Sequence, residues 1–364
     1  MTKSFSPEPV NMAHTNQKPT RGRGAAENPP NRFERTVYER DADWNEPGDP
    51  APKTQFFRDA TASIITHNDS PDVGFDASLN PYRGCEHGCI YCYARPYHEY
   101  IGFSAGLDFE TKIVVKENAA ELLRRELSSR KWKPQVLAMS GVTDPYQPIE
   151  RRLKLTRRCL EVLAEFRNPV AIITKNYLVT RDIDLLAELA RYDAAAVYVS
   201  VTTLDPELAR VMEPRTAQPA ARLRTIRELT TAGVPPGVML APVIPGLTDH
   251  EVPTIVKAAA EAGAGFAGMV PVRLPYGVKD LFQRWLEQRF PDRKAKVLTQ
   301  IRAMHGGKLN ESEFGRRMRG EGILAEQIDR MFAVACRRAR MGRGPHLSTA
   351  AFRRPGGKQM EMFG

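Results

Sequence analysis

The sequence predicts an α/β protein built around a partial (β/α)6 barrel, and three patterns lead to this prediction. Apolar runs alternate with amphipathic stretches from about residue 75 to about residue 275. The runs are continuously apolar, which is typical of parallel strands buried on both faces. About six such units are present, two fewer than a complete eightfold barrel requires. Periodicity alone does not distinguish this barrel from an open doubly wound sheet.

The predicted elements follow one another in the order strand, helix, strand. Six apolar runs are predicted as strands: KIVVK (112–116), QVLAMSG (135–141), VAIITK (170–175), AAVYVSVT (195–202), VMLAPVI (238–244) and GFAGMVPVRL (265–274). The segments between them carry apolar residues at helical spacing, as in ENAAELLRREL and RDIDLLAELARY. A further strand is expected just before a cysteine-rich loop. Together these elements define a barrel domain over residues 75–275.

The segments on either side of the barrel lack its regular pattern. Residues 1–60 carry eight of the 28 prolines and no sustained apolar periodicity, so we predict a poorly ordered N-terminal arm. Four aromatic residues offer anchors for this arm on the body: Phe33, Trp44, Phe56 and Phe57. Amphipathic stretches predict a helical C-terminal cap over residues 276–342, followed by a basic flexible tail over residues 343–364.

The composition indicates the general class of protein. Hydrophobic residues make up 42% and charged residues 26%, which is typical of a soluble globular protein. No run approaches the roughly 18 apolar residues of a membrane helix. The N-terminal segment also lacks the apolar core of a secretory signal. We therefore expect a cytoplasmic protein with no membrane partner.

The net charge of +10 is unevenly distributed along the chain. From Gly315 to the last residue there are eleven basic side chains and four acidic ones. A nucleic-acid partner is one interpretation of this basic C-terminus, because phosphate contacts reward clusters of cations. A solvated helix face followed by a soluble tail explains the same pattern without a partner.

Three of the five cysteines lie within eight positions, in the segment NPYRGCEHGCIYCYARPYHEY. The spacing C-x3-C-x2-C allows Cys85, Cys89 and Cys92 to bind one metal centre, and such crowding favours metal chemistry over a disulfide framework. Closed zinc sites and ordinary ferredoxin clusters use four protein ligands, whereas three ligands leave one position open. A Cys3His zinc site completed by His87 or His98 is the alternative.

The spacing, with the aromatic Tyr91 just before the last cysteine, resembles the signature of the radical SAM superfamily. The resemblance implies a [4Fe–4S] cluster on the three cysteines, whose open iron chelates S-adenosylmethionine (SAM). It also implies reductive cleavage of SAM to a 5′-deoxyadenosyl radical that abstracts hydrogen from a substrate, with flavodoxin or ferredoxin as the reductant. By motif position, Tyr91 and Tyr93 would lie against the adenosine.

Polar residues at the ends of the predicted strands are further candidates, because functional groups collect at the carboxyl ends of parallel strands. The stretches SGVTDPYQPIERRLKLTR, ITK and VSVTTLD are similar to the spore photoproduct lyase-like branch of the superfamily, often labelled DNA repair photolyase-like. The similarity covers roughly residues 75–275. It implies that Ser140 and Lys175 lie near the methionine part of SAM and Ser200 near the ribose. Helix-capping serines and a surface lysine are the alternative interpretations.

Two further features leave the reaction open. Glu213 and Arg215 are predicted either to form an ion pair at the barrel rim or to contact the cofactor. Spore photoproduct lyases use a fourth cysteine near the end of the second strand, whereas this sequence has none between Cys92 and Cys159. Cys159 itself lies within a predicted helix and is interpreted as a buried structural thiol. The predicted function is that of a radical SAM enzyme whose substrate is unknown. A lyase or repair-type reaction on nucleic acid is one reaction it could catalyse. The alternative function is that of a zinc-stabilised nucleic-acid-binding protein.

Overall fold

Two β-sheets form the framework of the protein. The computed structural model describes residues 19–34 and 52–355. Within these residues the strands are β1 (Gln55–Arg58), β2 (Ile65–His67), β3 (Ala77–Leu79), β4 (Tyr82–Arg83), β5 (Lys112–Val115), β6 (Leu137–Met139), β7 (Val170–Thr174), β8 (Ala195–Ser200), β9 (Pro236–Val243) and β10 (Phe266–Pro271). Five of the six predicted runs contain a strand of the larger sheet.

The larger sheet has seven strands in the order β10-β9-β8-β7-β6-β3-β2. β3 and the strands β6 to β10 run parallel to one another, whereas β2 is antiparallel to β3. β2 and β10 are the two edges, so the sheet does not close into a full barrel. In β8 five of the six residues are buried, which explains the continuously apolar sequence. The predicted α/β fold with a parallel sheet is confirmed.

The segment KIVVK, predicted as a strand of the barrel, belongs instead to the smaller sheet. Its strand β5 pairs in parallel with β1 and antiparallel with β4. The residues of β5 alternate between half-buried and buried positions, as expected of a strand with one face on the core. Val114 is apolar although its position is only half-buried. The sequence of β5 therefore looks continuously apolar and does not show this alternation. The first parallel strand of the barrel is β3.

Helices connect the strands and follow the last one. The α-helices are α1 (Leu107–Thr111), α2 (Ala119–Ser128), α3 (Glu150–Leu153), α4 (Leu155–Phe166), α5 (Ile183–Ala190), α6 (Pro206–Met212), α7 (Pro219–Thr231), α8 (Val252–Glu261), α9 (Val278–Arg289), α10 (Pro291–Met304) and α11 (Gly322–Arg338). Short 3-10 helices span Arg95–Ile101, Tyr177–Asp182 and Asp249–Glu251. The last three α-helices form the predicted C-terminal helical extension. In the described part of the chain, no helix has the length and apolarity needed to cross a bilayer.

The main apolar core lies between the larger sheet and its connecting helices. In α4 the side chains of Cys159, Leu160 and Leu163 are fully buried in this core. Their spacing places them on one stripe of the helix, which is the usual way a helix covers a sheet. Burial also raises the pKa of the Cys159 thiol. Cys159 is therefore a structural thiol, as the sequence predicts.

Part of the predicted poorly ordered arm lies against the barrel domain. The backbone N–H groups of Gly24 and Ala25 donate to the carboxylate of Glu110, at 3.0 and 2.8 Å. Ala25 is 1% exposed. Hydrogen bonds to a buried carboxylate therefore hold this segment, which corrects the prediction for residues 19–34.

Three of the proposed aromatic anchors contact the body: Phe33 lies 4.9 Å from Tyr100 and Phe57 lies 5.5 Å from Phe103 between ring centroids, and the Arg152 guanidinium lies 5.5 Å from the Phe56 ring. Phe33 is 57% exposed, and Phe56 and Phe57 of β1 are each 39% exposed. These rings are therefore in contact with the body but only partly buried. Trp44, together with the rest of residues 1–18 and 35–51, lies outside the described residues.

The segment after α11 runs along the amino ends of the barrel strands. Gly342 bridges the first residue of β10. The backbone N–H groups of Ser348 and Arg353 donate to carbonyls just before β8 and β7, at 2.8 and 2.9 Å. The prediction of a flexible tail is therefore wrong for residues 343–355. Residues 356–364 lie outside the described residues.

Candidate functional site

The three motif cysteines lie in one loop, which follows β4. Cys85 and Cys89 are buried, Cys92 is half-buried, and all three are free thiols. Two backbone turns fold the loop, because Gly88 donates its N–H to the Cys85 carbonyl at 3.3 Å and Cys92 donates to the Cys89 carbonyl at 3.2 Å. Gly88 has a φ of +66°, and a Cβ there would meet the Glu110 carboxylate at 2.6 Å. The loop therefore requires glycine at this position.

A buried ion pair holds the backbone of the cysteine loop through hydrogen bonds. Arg95 and Glu110 are fully buried, and their side chains are 2.5 Å apart. Arg95 donates from Nε to the Cys89 carbonyl at 3.0 Å and from Nη2 to the Gly88 carbonyl at 3.2 Å. Its Nη1 donates to the carbonyls of Ala105 and Gly106. One guanidinium group thus fixes the backbone around the second cysteine.

The segment TDPYQP (143–148), predicted as a turn, also holds the backbone of the cysteine loop, next to the first cysteine. Gln147 is fully buried; its Nε2 donates to the Gly84 carbonyl at 3.2 Å, and its Oε1 accepts from the Glu86 N–H at 2.9 Å. Thr143 donates its hydroxyl to the same Gly84 carbonyl at 2.8 Å. Protein contacts therefore hold the backbone on both sides of Cys85.

The three thiols share one buried environment. Burial raises the pKa of Cys89 and of Cys92, and the charge of Cys85 raises both further. Such charge effects fall with distance, so the thiols lie near one another. In the described residues, however, no three His, Cys, Asp or Glu side chains are grouped so as to hold a metal ion.

His87, one of the two candidate zinc ligands, contacts Cys85 as well as residues outside the cysteine loop. Its Nδ1 is 3.3 Å from Oδ2 of Asp144, and its Nε2 is 3.2 Å from Nδ2 of Asn176. Oδ1 of Asn176 accepts the backbone N–H of Leu178, so the amide group of Asn176 donates to His87. His87 connects the cysteine loop to the carboxyl ends of β6 and β7.

His98, the other candidate ligand, packs among aromatic rings. It lies edge-on to Phe109 at 5.6 Å between ring centroids, and its ring is 5.2 Å from that of Phe103. Burial lowers the pKa of His98 to about 4, so the imidazole is neutral at neutral pH. Neither histidine completes a Cys3His site in this structure.

The buried His98 imidazole is expected to make folding stability depend on pH. An exposed histidine of the unfolded chain titrates near 6.5, whereas His98 in the folded protein takes up a proton only near pH 4. The unfolded chain binds more protons between these values, so stability falls as the pH drops from about 6.5 to about 4, by about 3 kcal/mol. His98→Leu should remove most of this loss in urea denaturation at pH 7 and pH 4.5. His67→Leu, at an exposed position, is the control; equal acid losses in both variants would contradict the prediction.

Two of the predicted SAM contacts, Tyr91 and Lys175, meet around one buried carboxylate, and a third, Ser200, contacts the arginine that pairs with it. Glu213 is fully buried and accepts hydrogen bonds from the Tyr91 hydroxyl and from Nη2 of Arg222. Nζ of Lys175 is 3.9 Å from Oε1 of Glu213 and 5.9 Å from the centre of the Tyr91 ring. The carbonyl of Ser200 accepts from Nη1 of the same arginine at 3.0 Å. The structure therefore brings Tyr91, Lys175 and Ser200 together beside the cysteine loop.

The other two predicted contacts, Tyr93 and Ser140, form a separate pair. Tyr93 is 43% exposed, and its hydroxyl donates to the carbonyl of Gly141 at 2.5 Å. Ser140 is half-buried and precedes this glycine at the end of the β6 segment. The guanidinium group of Arg273 lies 5.5 Å from the Tyr93 ring. The roles of these two residues toward SAM remain predictions.

Several residues that build the site cannot be identified from the sequence. Arg222 lies in an ordinary amphipathic helix, yet it is 1% exposed and pairs with Glu213. Arg215, considered as the partner of Glu213, instead pairs with Glu86 at 3.0 Å. The prediction of an ion pair between residues 213 and 215 is therefore wrong. The sequence does contain one indication of this pair. Glu213 follows the apolar end of α6, and a glutamate that is buried there needs a cation as its partner.

Comparison with known families and relatives agrees with this geometry. The Radical SAM superfamily matches residues 79–259. Uncharacterized proteins of Mycobacterium bovis and Mycobacterium tuberculosis are 40% identical over 220 residues, which is 60% of this chain and 65% of each relative. An uncharacterized protein of Methanocaldococcus jannaschii is 31% identical over 48% of this chain and 62% of its own length. The chain thus spans less than two thirds of these relatives.

Solved structures show the same fold. Spore photoproduct lyase complexed with dinucleoside spore photoproduct matches with a TM-score of 0.56 and 15% identity, over 78% of each chain. A variant of that lyase with bound AdoMet and dinucleoside spore photoproduct matches with a TM-score of 0.54 and 16% identity, also over 78% of each chain. At this level of identity the likeness establishes the fold alone.

Proposed function

The chain carries a radical SAM domain over residues 79–259, and from this premise we propose that it holds a [4Fe–4S] cluster on Cys85, Cys89 and Cys92 and cleaves SAM. One observation carries the proposal: three free thiols, two of them buried and one half-buried, lie in one loop whose backbone is fixed by Arg95 and Gln147. Three thiolates leave one iron of a cubane without a protein ligand. When bound, the cluster would supply the electron that cleaves the sulfonium of SAM to a 5′-deoxyadenosyl radical.

The residues beside the loop would bind and orient SAM. Lys175 offers a cation to the methionine carboxylate, and Tyr91 offers a ring to the adenosine. Glu213 keeps both side chains in place, since it contacts the phenol and lies 3.9 Å from the ammonium group. Ser200 would lie near the ribose, and Tyr93 and Ser140 would line the outer rim. The protein contributes position and exclusion of water, while the cofactor supplies the reactivity.

The substrate would donate a hydrogen atom to the radical. A lyase or repair-type reaction on nucleic acid is supported by the likeness in fold to a lyase complexed with a dinucleoside photoproduct. A Pseudomonas phage M6 relative, 25% identical over 61% of this chain and 44% of its own length, is named Radical SAM Nalpha-GlyT isomerase. Because relatives with different printed activities match, we propose hydrogen abstraction without a named substrate.

The reductant and the location of the enzyme follow from the same proposal. Flavodoxin or ferredoxin would deliver the electron, and the cytoplasm would keep the cluster reduced. The basic C-terminus gives less support to nucleic-acid binding than the sequence suggests. Arg353 donates to the Glu165 carbonyl at 2.9 Å, and Arg354 donates to the Trp132 carbonyl at 2.9 Å. These two cations are thus already in contact with the barrel domain.

Anaerobic reconstitution tests the proposed function. The full chain is loaded with iron and sulfide, reduced with dithionite and incubated with SAM, and 5′-deoxyadenosine is measured by mass spectrometry. We expect about four iron atoms for each chain and 5′-deoxyadenosine only in the reduced sample. A colourless preparation that binds zinc and leaves SAM intact would contradict the proposal and would favour the zinc alternative.

A further inference from the structure

A cavity of about 590 Å³ opens at the carboxyl side of the barrel, behind the cysteine loop. Its walls come from the segments that follow β6, β7 and β8, and they include Arg151, Asn176, Tyr177, Arg215, Gln218 and Arg224. A cavity of this size is typical of sites that hold a small organic ligand. None of the residues proposed to contact SAM lines it.

The charge of the cavity wall is entirely positive. Three arginines line the cavity, and no aspartate or glutamate does. Arg215 is 3.0 Å from Glu86 and Arg224 is 3.7 Å from Glu228, so both keep free N–H groups. Within the described residues, no carboxylate lies within ion-pair distance of the exposed Arg151 side chain. The wall therefore presents at least one uncompensated cation to a ligand.

The remaining wall suits a phosphate group attached to a flat organic body. The ring of Tyr177 forms one face, with the Arg224 guanidinium 4.4 Å from its centre. The Tyr177 hydroxyl donates to Glu228 at 2.8 Å, which fixes the ring. The 13-residue helix α7 begins at the cavity, next to Gln218, and its N-terminal end adds partial positive charge. Arginine forks and helix N-termini are the groups that bind phosphate most often.

The cavity also contacts the segment between the first and second cysteines. Asn176 donates to His87, and the backbone N–H of Arg215 donates to the His87 carbonyl at 3.3 Å. The Arg215 side chain pairs with Glu86, the residue that follows Cys85. A ligand in the cavity would therefore lie one layer of side chains away from the cysteine loop.

We propose that this cavity binds the phosphate group of a nucleotide or of a nucleic-acid strand through Arg151, Arg215 and Arg224. The binding site is a property of these arginines and does not require that the protein cleave SAM. A free nucleotide and a nucleic-acid strand present the same phosphate chemistry, and the experiment below distinguishes them.

The test measures phosphate binding to the reconstituted full chain. A fluorescent single-stranded oligonucleotide is the probe in anisotropy titrations, with AMP and inorganic phosphate as competitors. The variant Arg151→Gln/Arg224→Gln removes two cavity cations, and Arg330→Gln/Arg337→Gln removes two exposed cations of α11 as the control. We expect the cavity variant to bind at least about tenfold more weakly, because two charge-assisted hydrogen bonds are lost. The control should stay within about twofold, and wild-type affinity should fall with added salt.

Each outcome decides the proposal. Competition by AMP identifies a nucleotide site, whereas binding of the oligonucleotide without competition by AMP identifies a strand site; both support the proposal if the cavity variant is weakened. Equal affinity of the cavity variant and wild type, or loss only in the α11 variant, would overturn it. Circular dichroism confirms that each variant is folded. 5′-Deoxyadenosine formation is measured separately on wild type, so failure of the proposed function cannot be mistaken for failure of this site.

Discussion

Replacing Cys89 with serine is expected to abolish cluster incorporation and SAM cleavage together. Cys89 is buried, and its backbone carbonyl accepts a hydrogen bond from Arg95, so its thiol has a fixed place in the loop. A serine hydroxyl does not ionise in this environment and is a poor ligand for iron. We expect iron content to fall to background and 5′-deoxyadenosine formation to fall by at least about 100-fold. Iron and sulfide assays and mass spectrometry on the reconstituted variant measure both effects.

The matched control is Cys336→Ser. Cys336 is a half-buried thiol on α11, outside the cysteine loop. This variant should incorporate iron and cleave SAM as wild type does. If the Cys89 variant kept its iron and its activity, or if both serine variants lost them equally, the assignment of the three-cysteine loop would be wrong.

Replacing Arg95 with methionine is expected to destabilise the folded protein by about 3–5 kcal/mol. The change leaves the Glu110 carboxylate without its cation at a fully buried position. It also removes the donors to the carbonyls of Gly88 and Cys89, which hold the loop. The free energy of unfolding of the cluster-free chain, measured in urea, reports the loss.

Two further variants make this result specific. Arg124 pairs with Glu165 at the surface, so Arg124→Met should cost about 0–1 kcal/mol. Adding Glu110→Leu to Arg95→Met should recover part of the stability, because the unpaired charge is then removed. If Arg95→Met cost no more than Arg124→Met, the buried pair would not be the support that the contacts indicate.

The parallel sheet could be predicted because burial on both faces leaves a direct trace in the sequence. The runs that contain β7 to β10 are mostly apolar, and helical segments separate them. The place of β5 could not be predicted, because Val114 makes a one-sided strand look continuously apolar. The contacts of residues 19–34 were missed for another reason, since a carboxylate 85 residues away holds the backbone of Ala25. Any residue type except proline can donate such a backbone N–H, so the sequence carries no sign of these hydrogen bonds.

The motif cysteines proposed as metal ligands could be identified from the sequence, whereas the residues that support their loop could not. The C-x3-C-x2-C spacing places Cys85, Cys89 and Cys92 in one loop, so the proposal that they are the ligands follows from the motif. Arg95, Gln147 and Arg222 support the site through contacts that only the fold creates. In the sequence they resemble surface residues, because arginine and glutamine are usually exposed. Buried polar networks of this kind become visible only once the strands and helices are in place.

The most direct test of the central claim is electron paramagnetic resonance of the reduced, reconstituted chain with and without SAM. If one iron of the cluster lacks a protein ligand, SAM binds there and the spectrum of the reduced cluster changes when SAM is added. We predict this change for wild type and for Cys336→Ser. A cluster whose spectrum is the same with and without saturating SAM would contradict the claim that three cysteines leave an open iron for SAM.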